Sequence, residues 1–157
     1  MIWKREAVRG EDKVEINDIL VPTDFSACSL RAVELALSLV SPSGEIYLLN
    51  VIDKVLLEKF EEHGLGKQEE ATERMRARAE ENLDSIIAGH ESSSSKLNKM
   101  IVIGNPFVEI LRIAKDLDFG LIVMGIRGGG SPLEEILFGS TADKVLRGTR
   151  IPVVCVP

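Results

Sequence analysis

The chain has 157 residues, 45% of them hydrophobic and 28% charged, the size and balance of one globular domain with a proper core. Its formal net charge of −6 and its 4% aromatic content argue against a basic face for nucleic-acid backbones and against a base-stacking platform. Two cysteines, Cys28 and Cys155, make no disulfide framework, no apolar run approaches a transmembrane span, and Met1–Asn17 is too charged for a signal peptide; a cytoplasmic protein with free thiols is expected.

Met1–Asn17 shows no periodicity and is expected to be an N-terminal extension to a domain over residues 18–157. Ile19-Leu20-Val21-Pro22 reads as a short buried strand that Pro22 stops. Ser26 is a suitable N-cap for the following helix, in which Leu30, Val33, Leu37 and Val40 recur every three or four residues and predict the inner face. Ser41-Pro42-Ser43-Gly44 ends that helix, and Glu45–Ile52 forms a second strand.

Lys54 to Gly89 is helical in pattern and heavily charged, broken by His63-Gly64-Leu65-Gly66. Glu70/Arg74 and Arg76/Glu80 lie one turn apart, with Met75, Ala79, Leu83 and Ile86 on the inner face. The serines of Ser92–Ser95 form a loop before a third strand, Lys99–Ile103, which Gly104-Asn105-Pro106 closes. The next helix carries Phe107, Ile110, Leu111 and Ala114 on one side. Gly120–Met124 is a fully apolar fourth strand, as expected when both faces are covered. After a glycine-rich loop, a helix runs from about Thr141 to Arg147, and Pro152–Val156 supplies a fifth strand.

This alternation predicts an α/β fold, a parallel sheet with helices on both faces and right-handed crossovers. Ligands of such sheets sit beyond the carboxyl ends of the strands, where strand order reverses. Thr23-Asp24, Asp53 and the loop from Gly125 occupy such positions; Asp53 is read as a solvated turn residue.

The loop reads Gly125-Ile126-Arg127-Gly128-Gly129-Gly130-Ser131-Pro132, and Gly139-Ser140-Thr141 then opens a helix. Glycines permit close backbone approach, and free N–H groups at a helix start favour an anion. The Ser140 and Thr141 hydroxyls can add donors; the competing reading is a flexible turn in which one of them only caps the helix. Arg127 can reach a phosphate or lie on the surface. No Gly-Lys-Ser/Thr follows a glycine run, and no Gly-x-Gly-x-x-Gly follows the first strand, which disfavours Walker-type and NAD-type sites.

Taken together in order and spacing, Ile19-Leu20-Val21-Pro22-Thr23-Asp24-Phe25-Ser26, Asn50-Val51-Ile52-Asp53, Gly104-Asn105-Pro106, Leu121–Gly125 and Gly139-Ser140 resemble the universal stress protein family from Asp18 to Pro157. The resemblance implies a five-stranded, doubly wound parallel sheet, Rossmann-like and similar to adenine nucleotide alpha hydrolases, in the order 3-2-1-4-5. In ATP-binding members the signature is Gly-x2-Gly-x9-Gly-Ser/Thr. Gly125 and Gly128 match its first part and Gly139-Ser140 its last, but ten residues, Gly129 to Phe138, stand where the pattern has nine.

By that resemblance, Pro22, Thr23, Asp24 and Val51 line the adenine and ribose end of a site for ATP or AMP. Gly125, Gly128, Gly139, Ser140 and Thr141 hold ribose and phosphates, with Met124 and Arg127 beside them and Mg²⁺ brought in on the phosphates. For Asp24 the competing reading is a turn or capping carboxylate. The resemblance also implies a homodimer through the last strand, Val153–Val156, an edge that needs a partner.

No nucleophile–base pair or metal spacing appears, and His63 and His90 read as surface residues. The expectation is a nucleotide-binding stress-response or regulatory module and not an enzyme. Its alternative is an interaction module of the same fold that no longer binds ATP. An adenylate-forming enzyme would need a Ser-Gly-Gly-x-Asp-Ser loop or a His-x-Gly-His pair, and the chain has neither.

Overall fold

The computed structural model describes residues 14–90, 96–127 and 139–157. In chain order the elements are β1 (Asp18–Pro22), α1 (Ala27–Leu39), β2 (Glu45–Asp53), α2 (Lys54–Glu62), α3 (Gln68–Ala88), β3 (Lys96–Gly104), α4 (Pro106–Asp116), β4 (Leu121–Gly125), α5 (Ser140–Gly148) and β5 (Val153–Val156). The strands form one sheet in the order β3-β2-β1-β4-β5, every pairing parallel. The expected order 3-2-1-4-5 is the observed one.

Alternation along the central strands separates two cores. Ile19, Val21, Ile46, Leu48, Leu121 and Val123 face Ala32, Val33 and Ala36 of α1 and Leu83 of α3. Leu20, Leu49, Ile122 and Met124 face Ile110, Ile113 and Ala114 of α4 and Ala142 and Val145 of α5. Residues of one strand that point to opposite faces are both buried, which is why these strands are apolar runs and not alternating patterns.

Helix α1 starts as its sequence predicts: the Ser29 N–H donates to Oγ of the N-cap Ser26 (3.3 Å). Its inner face is centred on Ser29, Ala32, Val33 and Ala36; of the expected residues Val33 belongs to it, Leu37 and Val40 pack against the core partly buried, and Leu30 is 40% exposed. Counting large apolar residues misplaces this face because the helix lies close on the sheet, and that closeness selects small side chains. Gly125 at the end of β4 belongs to the same contact, since a Cβ there would lie 2.9 Å from Cys28 C, Cys28 Cβ and Ser29 N.

The break at 63–66 separates α2 from α3 as expected, with Gly64 and Gly66 both at positive φ, 67° and 140°. Asp53 caps α2, its Oδ1 accepting from the Val55 N–H at 2.9 Å. The extended segment before β1 is tied to the domain from Ile16 on: the Ser41 N–H donates to Ile16 O (2.8 Å) and the Glu45 N–H to Asn17 O (2.6 Å). The expectations for Ser92–Ser95, Gly128 and Gly129–Phe138, and those for residues 1–13, lie outside the described residues. No described helix is long and apolar enough to cross a membrane.

Candidate functional site

In the sheet, β1 lies between β2 and β4, so strand order reverses at its carboxyl end, where open α/β sheets bind ligands. A cleft of about 240 Å³ opens there. The expected residues Pro22, Thr23, Asp24 and Val51 line one end of it, and Met124, Gly125, Arg127, Gly139, Ser140 and Thr141 the other. Asn50, Ser29 and Ile110 also line it and were not among the expected site residues. An asparagine interrupting Leu48-Leu49-Asn50-Val51-Ile52 is the signal that could have marked the first.

The β1–α1 turn is held from several sides. The Ser29 hydroxyl donates to Ser26 O (2.9 Å), so in the Thr23 Oγ1–Ser29 Oγ contact of 3.0 Å the threonine is the donor. Thr23 Oγ1 in turn accepts from the Phe25 N–H (3.1 Å). The Thr23 N–H donates to Leu49 O (2.8 Å), and Thr23 O accepts from Asn50 Nδ2 (2.9 Å). Thr23 is 5% exposed, and its polar groups serve the turn. Asp24 is exposed at the mouth, with Oδ1 accepting from the Ser26 N–H (3.0 Å); the turn-carboxylate reading therefore holds for one of its oxygens. Phe25 takes φ 65°, a left-handed conformation unfavourable for a bulky residue and maintained by these surrounding bonds.

At the end of β2 the ladder stops early. In β2, Glu45 N–H and Leu49 O both bond toward the β1 side, so the N–H and C=O of Val51, two residues on, point that way too. Strand β1 ends at Pro22, opposite Leu49. Among the described residues the Val51 N–H has no partner on that side, and Thr23 O accepts from the Asn50 side chain instead. A donor and an acceptor thus stand in the cleft beside the apolar side chains of Ile110 and Met124.

The opposite end is suited to an anion. Gly139 is the N-cap of α5, and among the described residues no side chain caps the helix; the N–H groups of Ser140, Thr141 and Ala142 lie in its first turn, directed at the cleft with the positive end of the helix dipole. The Gly139 N–H donates to Ile126 O (2.6 Å), while the Ile126 N–H donates to Val156 O (2.9 Å). The start of α5 is thereby anchored to the sheet. Arg127 Nε is buried and finds no hydrogen-bond partner among the described residues, an arrangement that suits a guanidinium awaiting an anionic ligand.

Neither histidine lines this cleft. His90 instead joins α3 to α1: Nδ1 lies 2.7 Å from Ile86 O and Nε2 lies 2.8 Å from Glu34 Oε1. Those contacts, the carbonyl first, hold its pKa above 6.5. Among the described residues no group of three or more His, Cys, Asp or Glu could hold a metal ion.

The universal stress protein family model matches residues 15–157. This chain belongs to the universal stress protein family. A universal stress protein of Methanocaldococcus jannaschii, MJ0577, is 32% identical over 88% of this chain and 93% of its own length. Its solved structure superposes with a TM-score of 0.79 at 31% identity, covering 91% of this chain and 96% of that one. A second universal stress protein of the same organism, MJ0531, is 30% identical over 88% of this chain and 80% of its own. A universal stress protein solved in complex with cAMP shares the fold, with a TM-score of 0.62 at 21% identity over 91% of this chain and 98% of that one.

Proposed function

We propose that this universal stress protein is a cytoplasmic, dimeric adenine-nucleotide-binding module acting in stress response or regulation, and not an enzyme. The observation that carries the reading is a single cleft joining the open backbone of Val51 to the uncapped start of α5. The Val51 N–H and C=O suit the acceptor–donor edge of adenine, N1 and the 6-amino group. Ile110 and Met124 supply apolar walls for the base. Asp24, with one oxygen outside its turn bond, suits a ribose hydroxyl. Phosphates then fall on the first-turn N–H groups of α5, the Ser140 and Thr141 hydroxyls and Arg127. Gly128 belongs to the same expected phosphate loop. Mg²⁺ would enter on the phosphates, which supply most of its ligands. The relative solved with cAMP supports an adenine nucleotide as a ligand of this fold.

The ten residues between Gly128 and Gly139, one more than the ATP-binding pattern, favour as a second reading an interaction module that does not bind ATP. Mass spectrometry of the small molecules carried by the natively purified protein separates the two. The first predicts ATP or AMP in the released fraction. A nucleotide-free protein that also takes up none from an added pool supports the second.

Dimerisation through β5 rests on its position. Among the described residues it is an edge strand paired only with β4, and Val153, Val154 and Cys155 are incompletely buried. Pro152 O and Val156 O bond toward β4, so by alternation the backbone groups of Val153 and Cys155 face outward and can accept a second copy. In this reading residues 18–157 are the functional domain and 1–17 an extension of it.

A further inference from the structure

Parallel strands set an expectation at the end of β1 that the structure does not meet. Once the Thr23 N–H has bonded to Leu49 O (2.8 Å), the next rung of the ladder is Val51 N–H to Thr23 O. That rung is missing, and Thr23 O instead accepts from Asn50 Nδ2 at 2.9 Å. The assignment of nitrogen and oxygen in this carboxamide is fixed, because a carbonyl oxygen can only accept. The side chain of one residue thus replaces the backbone donor of the next. The turn carrying Thr23 is locked by three further bonds, from Thr23 Oγ1 to Ser29 Oγ, from the Phe25 N–H to Thr23 Oγ1 and from the Ser26 N–H to Asp24 Oδ1. Its carbonyl therefore stays within reach of either donor.

We propose that Asn50 is a positioning residue whose side-chain amide occupies Thr23 O, keeping the Val51 N–H out of the ladder and free for a ligand in the cleft. The ligand half of this inference rests on the adenine-nucleotide reading above; the ladder half does not. Without the Asn50 donor, Thr23 O is left with the Val51 N–H as its nearest ladder partner. The sheet then closes by one rung and the cleft loses its donor at the base end. Asn50 acts through Val51 and needs no contact of its own with the base.

The test uses the full chain, its Asn50→Ala variant and the isosteric N50D, which keeps the size but lacks the donor. Amide hydrogen exchange at Val51, followed by NMR without ligand, should show fast exchange in the wild type. Protection should rise by at least about tenfold in both variants. Affinity for ATP–Mg by calorimetry should fall by about tenfold, the weight of one hydrogen bond. Equal Val51 exchange in the wild type and N50D would overturn the proposal, even where N50A is too unstable to measure. Protected Val51 in the wild type would overturn it as well. A wild type that binds no ATP while the exchange rates shift as expected would remove the adenine reading and leave the role of Asn50 in the ladder supported.

Discussion

Replacing Gly125 with alanine tests whether this loop glycine serves the fold before it serves a ligand. An added Cβ would lie 2.9 Å from three atoms, the carbonyl carbon and Cβ of Cys28 and the Ser29 nitrogen. None of them is the end of a flexible side chain, so relief requires the first turn of α1 to move off β4. That turn carries Ser29, and a rigid shift lengthens its 3.0 Å bond to Thr23 Oγ1. Overpacking of this kind costs about 2 kcal/mol, or a drop of about 4–8 °C in Tm for a chain of this size. Thermal unfolding followed by circular dichroism reads it directly. A G125A protein melting within about 1 °C of the wild type would refute the close contact between α1 and β4 and the reason given for its small inner face.

Three further perturbations separate the parts of the account. Gly139→Asp adds a side-chain acceptor at the N-cap of α5, which should raise the apo Tm by about 1 °C; its carboxylate would occupy the anion end, so ATP affinity should fall at least about tenfold. Unchanged affinity by calorimetry would place the phosphates elsewhere. Cys155→Pro removes an outward-facing N–H of β5 and leaves the bonds of Pro152 O and Val156 O to β4 intact, so light scattering should report monomers; a persisting dimer would rule out the β5 edge. His90 has acceptors at both ring nitrogens, and its folded-state pKa lies above 6.5. The stabilisation is therefore complete below pH 6.5 and is lost as pH rises through the higher folded value. The urea midpoint of the wild type should exceed that of His90→Ala by more at pH 6 than at pH 9, and a constant difference would contradict the Glu34–His90–Ile86 tie.

Much of the fold was readable in the sequence because it is written in apolar runs and punctuation. Ile19–Pro22 and Leu121–Met124 are buried on both faces, and Ser26 and Gly64–Gly66 mark helix boundaries where the chain begins or breaks them. The face of α1 was legible only in part, through Val33, Leu37 and Val40, for a physical reason: close helix–sheet packing is carried by Ala32, Ala36 and Ser29, which weigh little in a count of large apolar residues. The cleft was located because motif residues far apart in sequence end at the same edge of the sheet. What each of them does there was harder to see. Thr23, expected beside the nucleoside, has its hydroxyl engaged with Ser29 and Phe25. The Asn50 bond to Thr23 O spans 27 residues, and the pairing of His90 with Glu34 spans 56; no local pattern encodes either.

The central claim is that one cleft reads a base through Val51 and holds phosphate through α5 and Arg127. Calorimetric titration of the wild type and Arg127→Met with ATP–Mg and with adenosine tests it most directly. Saturable binding of both ligands by the wild type is expected, with a loss of at least about tenfold in ATP affinity for R127M and adenosine affinity unchanged. No heat with either ligand, or equal ATP affinity for the two proteins, would contradict it.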